Sequence, residues 1–479
     1  MQIRTTAALL LRSRIVYLAI ALACLPEISF SRQSVTTQKL SADQQLARDI
    51  FRELIEINTS TSIGSTKAAE AMADRLKLAG FPESDMQILG PRPQNKNLVV
   101  RYRGKGSLRP ILLIAHLDVV EALRKDWSVD PFTFLERDGF FYGRGTSDMK
   151  CEVADIVANF IRWKREGFVP NRDIILALTE DEENGDANGV QWLLANHRDL
   201  IDAEFGINLE GGGGDIEKGK PMLMEVQTSE KVYVSFQLEV KNKGGHSSLP
   251  VKENAIYRLA AGLTRLSKYD FPIRLNETTR TFFNRTAQRE SGTTKDDMLA
   301  LLKTPMDTAA ANRLAASRPY YNALMRTTWV PTLLSGGHAE NALPQIARAV
   351  INCRMLPDET IGNVLATLHR VLADSQIIVT QLGEPQPGPL SPLGKDVMEN
   401  VERLTASMWP GVLVTPVMST GASDGKYLRQ AGIPIYGVSG IFADIDDVRA
   451  HGRDERIGVK EFYDGVEFMY RFIKTLTGH

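Results

Sequence analysis

Pro110-Ile111-Leu112-Leu113-Ile114-Ala115-His116-Leu117-Asp118 is the stretch on which the fold turns. Its apolar run, Ile111 to Ala115, has no polar interruption, which marks a strand covered on both faces; a strand with one wet face would alternate. His116 and Asp118 follow where it stops, and open α/β sheets carry their ligand-binding residues beyond the carboxyl ends of their strands. Taken alone, the pair would serve equally well to cap the next loop. The arrangement recurs, however. Arg172-Asp173-Ile174-Ile175-Leu176-Ala177-Leu178 and Phe205-Gly206-Ile207-Asn208-Leu209 are two more apolar runs, with a helix expected over 153–166 ahead of the first. Strands alternating with helices predict an α/β fold with a mostly parallel sheet.

Towards the N-terminus, Leu46, Ile50, Leu54 and Ile57 have helical spacing, a Gly/Ser/Thr break covers 59–66, and a second helix runs to Gly80. Towards the C-terminus the pattern changes near Glu230. Val232, Val234, Phe236, Leu238 and Val240 alternate with Tyr233, Ser235, Gln237 and Glu239, which suits a strand with one covered face in a more antiparallel sheet. A helix over 254–266, strands near 328–334 and 347–354, a helix over 361–372 and a strand over 376–382 complete a split βαβ order. The polar segment 275–325 is expected to be helical in parts. A Pro- and Gly-rich linker, 383–392, leads back to α/β character, with a strand at 433–438. The expected organisation is a signal peptide over 1–31 and a catalytic domain in two parts, 40–228 and 384–479, interrupted by an inserted domain, 229–383.

Composition bounds the function. The 479 residues are 43% hydrophobic and 24% charged, as in ordinary globular proteins. With 57 Lys plus Arg against 58 Asp plus Glu, no bulk field draws the chain to nucleic acid or anionic lipid. Arg4, Arg12 and Arg14 precede an apolar run from Ile15 to Leu25, too short for the ~20 residues of a bilayer span. That is the pattern of a secretory signal, so the product is expected to be periplasmic or secreted, with no membrane span. Cleavage before Cys24 would instead give a lipoprotein anchor. Cys151 and Cys353 are then the remaining cysteines, too few and too far apart for a disulfide framework, and are expected to be buried free thiols.

Acids collect at the ends of the expected strands. Gly143-Arg144-Gly145-Thr146-Ser147-Asp148-Met149-Lys150 leads into a helix, where an acid would also serve as a cap. Thr179-Glu180-Asp181-Glu182-Glu183 follows the second run directly and, by itself, would equally be a solvated edge. Glu210 follows the third run and precedes four glycines. Together with His116 these would converge on one sheet edge, and that much negative charge calls for cations. Ala450-His451-Gly452-Arg453-Asp454-Glu455 supplies a second imidazole. Imidazole and carboxylate without thiolate suit zinc, manganese or cobalt, and a carboxylate able to bridge suits two divalent ions.

In these motifs, together with Gly244-Gly245-His246-Ser247-Ser248, the chain resembles peptidase family M20, which includes glutamate carboxypeptidase, succinyl-diaminopimelate desuccinylase, acetylornithine deacetylase, aminoacylase and carnosinase. The resemblance runs from about residue 45 to the C-terminus. It implies a catalytic domain of zinc-exopeptidase type, interrupted by a smaller α+β lid and dimerisation domain. By the same resemblance His116 and Glu210 would hold one metal, Glu183 and His451 the other, and Asp148 would bridge them, with a cis peptide after it. Asp118 would orient His116. Glu182 would be the general base, taking a proton from an attacking water and returning it to the leaving amine. His246, reaching in from a dimer partner, would stabilise the oxyanion, and Asn341 and Arg354 would contact the substrate's carboxylate. For Arg354 an interdomain ion pair is the plain structural alternative. Gly421-Ala422-Ser423-Asp424-Gly425 resembles a loop lining the substrate site. The segment 275–325 and His338 have no counterpart in the pattern.

The expected activity is hydrolysis of a terminal peptide bond, dipeptidase- or carboxypeptidase-like. An N-acyl amino-acid deacylase is the alternative within the class, since both reactions expel an amine beside a free carboxylate. A non-catalytic binding protein on the same fold would be expected to have lost Glu182 or a ligand. A phosphatase or esterase would call for more basic residues around the site.

Overall fold

The computed structural model describes residues 39–478, so the expected signal peptide and Cys24 lie outside the described residues. Helices α1 (Ala42–Glu56) and α2 (Thr66–Leu78) form as their spacing predicts. The chain then lays down β1 (Met86–Arg92), β2 (Asn95–Tyr102), β3 (Ile111–His116), helix α3 (Lys150–Arg165), β4 (Ile174–Thr179), β5 (Phe205–Asn208), β6 (Gly213–Glu217) and β7 (Lys220–Glu230). It crosses at Lys231 into a second sheet of β8 (Val232–Lys241), β9 (Thr328–Gly336), β10 (Ile346–Met355) and β11 (Ile377–Leu382). It returns to the first sheet with β12 (Leu413–Ser419), β13 (Ile435–Gly437) and β14 (Phe442–Asp444).

The first sheet has ten strands in the order β1-β2-β4-β3-β5-β13-β7-β6-β14, with β12 paired to β7. Its centre, β4-β3-β5-β13, is parallel. The unbroken apolar runs have a direct cause here. Alternate residues of β3 feed different cores: Ile111, Leu113 and Ala115 pack with Phe51, Val157, Phe160 and Phe468 on one face, and Leu112 and Ile114 with Val190, Leu193 and Leu428 on the other. Neither face meets water, so no alternation survives. Because β3, β4 and β5 run in parallel, the residues after each come out at one edge.

The second sheet is antiparallel in the order β9-β10-β8-β11, the split βαβ arrangement. Val232 to Val240 are buried at every second position, against Leu259 and Leu266 of α4 (Ala255–Leu266) and Val364, Leu368 and Leu372 beyond it. The polar segment forms four helices: α5 (Glu277–Thr286), α6 (Gly292–Leu301), α7 (Thr308–Ser317) and α8 (Pro319–Met325). Asn276 and Thr279 close a capping box on α5, and Asp307 caps α7. Phe282, Phe283, Leu301 and Leu324 make a small core that includes Val417 and Met418 of β12, so this block packs on the larger sheet. Cys151 and Cys353 are buried and free. Among the described residues no helix is long and apolar enough to cross a membrane.

Candidate active site

His116 ends β3, Glu182 and Glu183 follow β4, and Glu210 follows β5, all at the same sheet edge. Asp148 comes to them from the loop ahead of α3, and its peptide to Met149 is cis, as the family pattern implies. The two carboxylate oxygens of Asp148 face two different imidazoles. Oδ1 lies 3.1 Å from His116 Nε2, and Oδ2 lies 3.1 Å from His451 Nε2. His451 Nε2 is also 2.9 Å from Glu183 Oε1. Ligand-capable atoms thus fall into two overlapping groups, His116/Asp148/Glu210 and Asp148/Glu183/His451, each within 4.8 Å, with Asp148 common to both.

The chain holds these groups in place through its own hydrogen bonds. His116 Nδ1 is 2.9 Å from the carbonyl oxygen of Asp118, an acceptor, so Nδ1 carries a proton and Nε2 is the nitrogen turned to Asp148. The Asp118 carboxylate is 3.6 Å from that ring and accepts from the N–H groups of Glu182, at 3.2 Å, and Glu183, at 3.1 Å. It therefore fastens the acidic loop, while the Asp118 main chain orients the ring. The run of four acids is no solvated edge: Glu180 and Asp181 are buried, and Asp181 accepts from the Ala187 N–H to close the loop.

Glu455, to which the family pattern assigns no role, is a principal support. Fully buried, it pairs with Arg144 Nη1 at 2.5 Å and accepts from the N–H groups of Gly145 at 3.1 Å, Ser147 at 2.7 Å and Asp148 at 3.1 Å. One carboxylate so ties the loop of His451 to the loop of Asp148. Gly145 is required there: its φ is +89°, and a Cβ would come within 2.9 Å of the buried Lys150 side chain. Lys150 Nζ in turn donates to the carbonyls of Leu54 and Ile57, anchoring the loop to α1.

The electrostatics fit bound cations. Burial, with Asp424 and Glu183 nearby, pushes the Glu182 carboxyl up to about 8. Burial and the charge of Glu182 push Glu210 well above the ordinary range, and burial raises Glu183. Burial opposes charging of His116, yet Asp148, Asp118 and Glu210 hold it well above the usual imidazole value. So many buried carboxylates facing two imidazoles call for divalent cations to offset them, and a donor set without thiolate suits zinc, manganese or cobalt.

Comparison with known proteins gives this geometry a family. A model of peptidase family M20/M25/M40 matches residues 112–475. This chain belongs to that family. It is an M20-type hydrolase, a metallopeptidase or amidohydrolase. It is 31% identical over 381 residues to the human N-fatty-acyl-amino acid synthase/hydrolase, covering 77% of this chain and 74% of that protein. It is 29% identical over 397 residues to a probable carboxypeptidase S-like protein of Dictyostelium discoideum, covering 79% and 74%. In fold it is similar to an M20 family metallo-carboxypeptidase from Sulfolobus solfataricus, with a TM-score of 0.68, 17% identity, and 90% and 99% of the two chains covered.

Of the remaining expected residues of this M20 chain, Arg354 lies in β10 of the second sheet, and His246 and Asn341 lie at a separate two-stranded ladder. His246 pairs with Ala342 across a two-residue ladder, and the carbonyl of Asn341 accepts from Ser247 N–H, so His246 and Asn341 share one exposed corner. His246 Nδ1 is engaged by Ser248. Neither His246 nor Asn341 has a hydrogen bond to the acidic cluster among the described residues. Arg354 stacks on Tyr233, 4.7 Å from the ring centroid, and makes no ion pair among the described residues, so it is no interdomain salt bridge here. Its neighbour in charge is Glu230, which accepts from Ser423 N–H and Oγ and pairs with Arg429 at 3.1 Å. The Gly421–Gly425 loop is thereby joined to the end of β7. Asp424, buried, accepts from Asn188 at 2.6 Å.

Proposed function

We propose that this chain is an exported M20 hydrolase with two divalent ions, most simply zinc, that cleaves a terminal peptide bond beside a free carboxylate. The observation that carries this reading is Asp148, with one oxygen turned to each imidazole and Glu182 on the loop beside it. His116 and Glu210 would hold one ion, Glu183 and His451 the other, and Asp148 both. When bound, the ions supply Lewis acidity towards water and the scissile carbonyl. Glu182 takes a proton from the attacking water and delivers it to the leaving nitrogen, and its buried position suits a group that must hold that proton near neutral pH. His116, with Nδ1 locked to the Asp118 carbonyl, keeps a fixed tautomer throughout. His246 would donate to the oxyanion and Asn341 and Arg354 to the substrate's carboxylate, once the inserted region closes on the edge.

The division at 40–228, 229–383 and 384–479 belongs to the same reading, with the insert as lid and dimerisation domain. Edge strand β9 supports it: Val330, Leu333 and Leu334 are exposed, and an apolar cavity of about 300 Å³ lies between β9 and Ile256, Leu259 and Leu263 of α4, a surface suited to a second copy. Export rests on the arginines and short apolar run before residue 31.

A second reading, an N-acyl amino-acid deacylase, is favoured by the similarity to the N-fatty-acyl-amino acid enzymes. A binding protein that has lost catalysis is disfavoured by the presence of Glu182 and every ligand type. The test is metal content together with release of free amino acid from a panel of dipeptides and N-acyl amino acids. Glu182→Gln should keep its metal and lose roughly 10²–10⁴-fold in turnover. Equal turnover would remove Glu182 from its role, and no cleavage by the wild type would favour the binding protein.

A further inference from the structure

We propose that a cavity beside Glu210, walled in part by the α5–α8 block, binds a cationic group on the substrate residue next to the scissile bond, so that lysine- or arginine-type substrates are preferred. This rests on the hydrolase reading above and specifies its substrate class. The cavity, of about 270 Å³, is lined by Glu210, Glu225, Gln227, Tyr320, Thr420 and Ser423. It is small beside the roughly 300–1,000 Å³ of pockets that enclose drug-sized ligands, and suits a side chain better than a long acyl tail.

Its floor comes from the pleat of β7. Met224 and Val226 point into the main core, so Glu225 and Gln227 point to the opposite face, the one carrying the cavity. A covered sheet face would ordinarily hold apolar residues at such positions. Glu225 instead places a carboxylate there with no hydrogen bond or ion pair from its side chain among the described residues, and the charge acting on it is another acid, Asp215. Burial pushes this carboxyl up to about 8, the mark of a group short of a counter-charge. Gln227 spends its Nε2 on Glu230, and its Oε1 lies only 2.4 Å from where a Cβ on Gly211 would sit, so the amide presents an acceptor at the cavity wall. The fourth wall is Tyr320 of α8, set edge-on to Phe282 with ring centroids 6.0 Å apart. Tyr320 and Glu225 line the same cavity, and burial with the Glu225 charge raises the phenol. A carboxylate, an amide oxygen and an aromatic ring around one cavity recognise an ammonium or guanidinium group.

Substrate pairs that differ only in charge test this: lysine- and norleucine-containing dipeptides, with the residue on either side of the bond, and the two N-acetyl amino acids. Wild type is expected to favour lysine by roughly tenfold or more in kcat/KM at one of these positions. Glu225→Gln should bring that ratio close to one, and Tyr320→Leu should lower it by a smaller factor. Equal kcat/KM in wild type, a preference for norleucine, or a lysine preference that survives Glu225→Gln overturns the proposal. If no amide in the panel is cut, the hydrolase reading fails instead, and the cavity is then read without turnover. Free L-lysine should raise the Tm of wild type more than L-norleucine does, and Glu225→Gln should lose the difference; equal shifts in wild type overturn the proposal.

Discussion

The acidic edge of the large sheet and the His246/Asn341 corner, on its own two-stranded ladder, are both expected to serve one reaction, yet they are built differently. At the edge each functional group is held by others of the same chain: Asp118 holds the acidic loop, and Glu455 holds the loop of Asp148. The corner is exposed, with Nδ1 of its imidazole engaged by Ser248. Metal sites lose affinity when their supports give way, so they need rigid second partners. Groups that touch substrate and then release it can sit on a body that moves or that pairs with a second copy.

The largest effect that could break this contrast is at the edge. Glu455→Gln leaves Arg144 buried without its charge partner, and is expected to cost about 3–5 kcal/mol of stability and about 10–100-fold in metal affinity. Chelator competition measures the second quantity; unchanged affinity would mean that the edge needs no such support.

The junction between the two regions gives an intermediate effect. Burial lowers Lys231 to about 7, and its Nζ donates to the Arg326 carbonyl and Thr328 Oγ1, which a neutral amine satisfies fully. Above pH 7 the folded state binds fewer protons at this site than the unfolded chain, whose lysine titrates near 10.4. Stability should therefore rise between pH 7 and 10 relative to Lys231→Met, by roughly 1 kcal/mol per pH unit. Parallel pH profiles for the two proteins in urea melts would contradict a buried, neutral lysine.

The smallest effect is expected in the small sheet. Arg354→Ala should raise KM about tenfold for substrates with a free carboxylate, with metal content unchanged. The same rise for amidated substrates would show that Arg354 acts on packing with Tyr233 instead.

Much of the edge was legible in the sequence because strand length and burial are local properties. The runs 111–115 and 174–178 are apolar on both faces, so the position of the first polar residue after each was already decided. The strand β7 leaves no such signature, since Lys220, Pro221, Glu225, Gln227 and Glu230 interrupt its apolar residues, and the reason for those interruptions lies in elements far along the chain. The four helices within 275–325 show in the sequence only as a segment helical in parts, because their small core hides among many Arg, Thr and Asn. Glu455 escaped for a different reason: its partner Arg144 is 311 residues away, and nothing local marks it as more than a charge in a polar loop.

By itself the sequence determined which residue types stand at the strand ends, and that the central strands would be covered twice, because hydrophobic periodicity reports burial residue by residue. Only the tertiary structure decided that β3 lies between β4 and β5, so that three strand ends converge, and that Asp148 turns one oxygen to each imidazole. Strand order and side-chain convergence depend on pairings between distant segments, which no local pattern encodes.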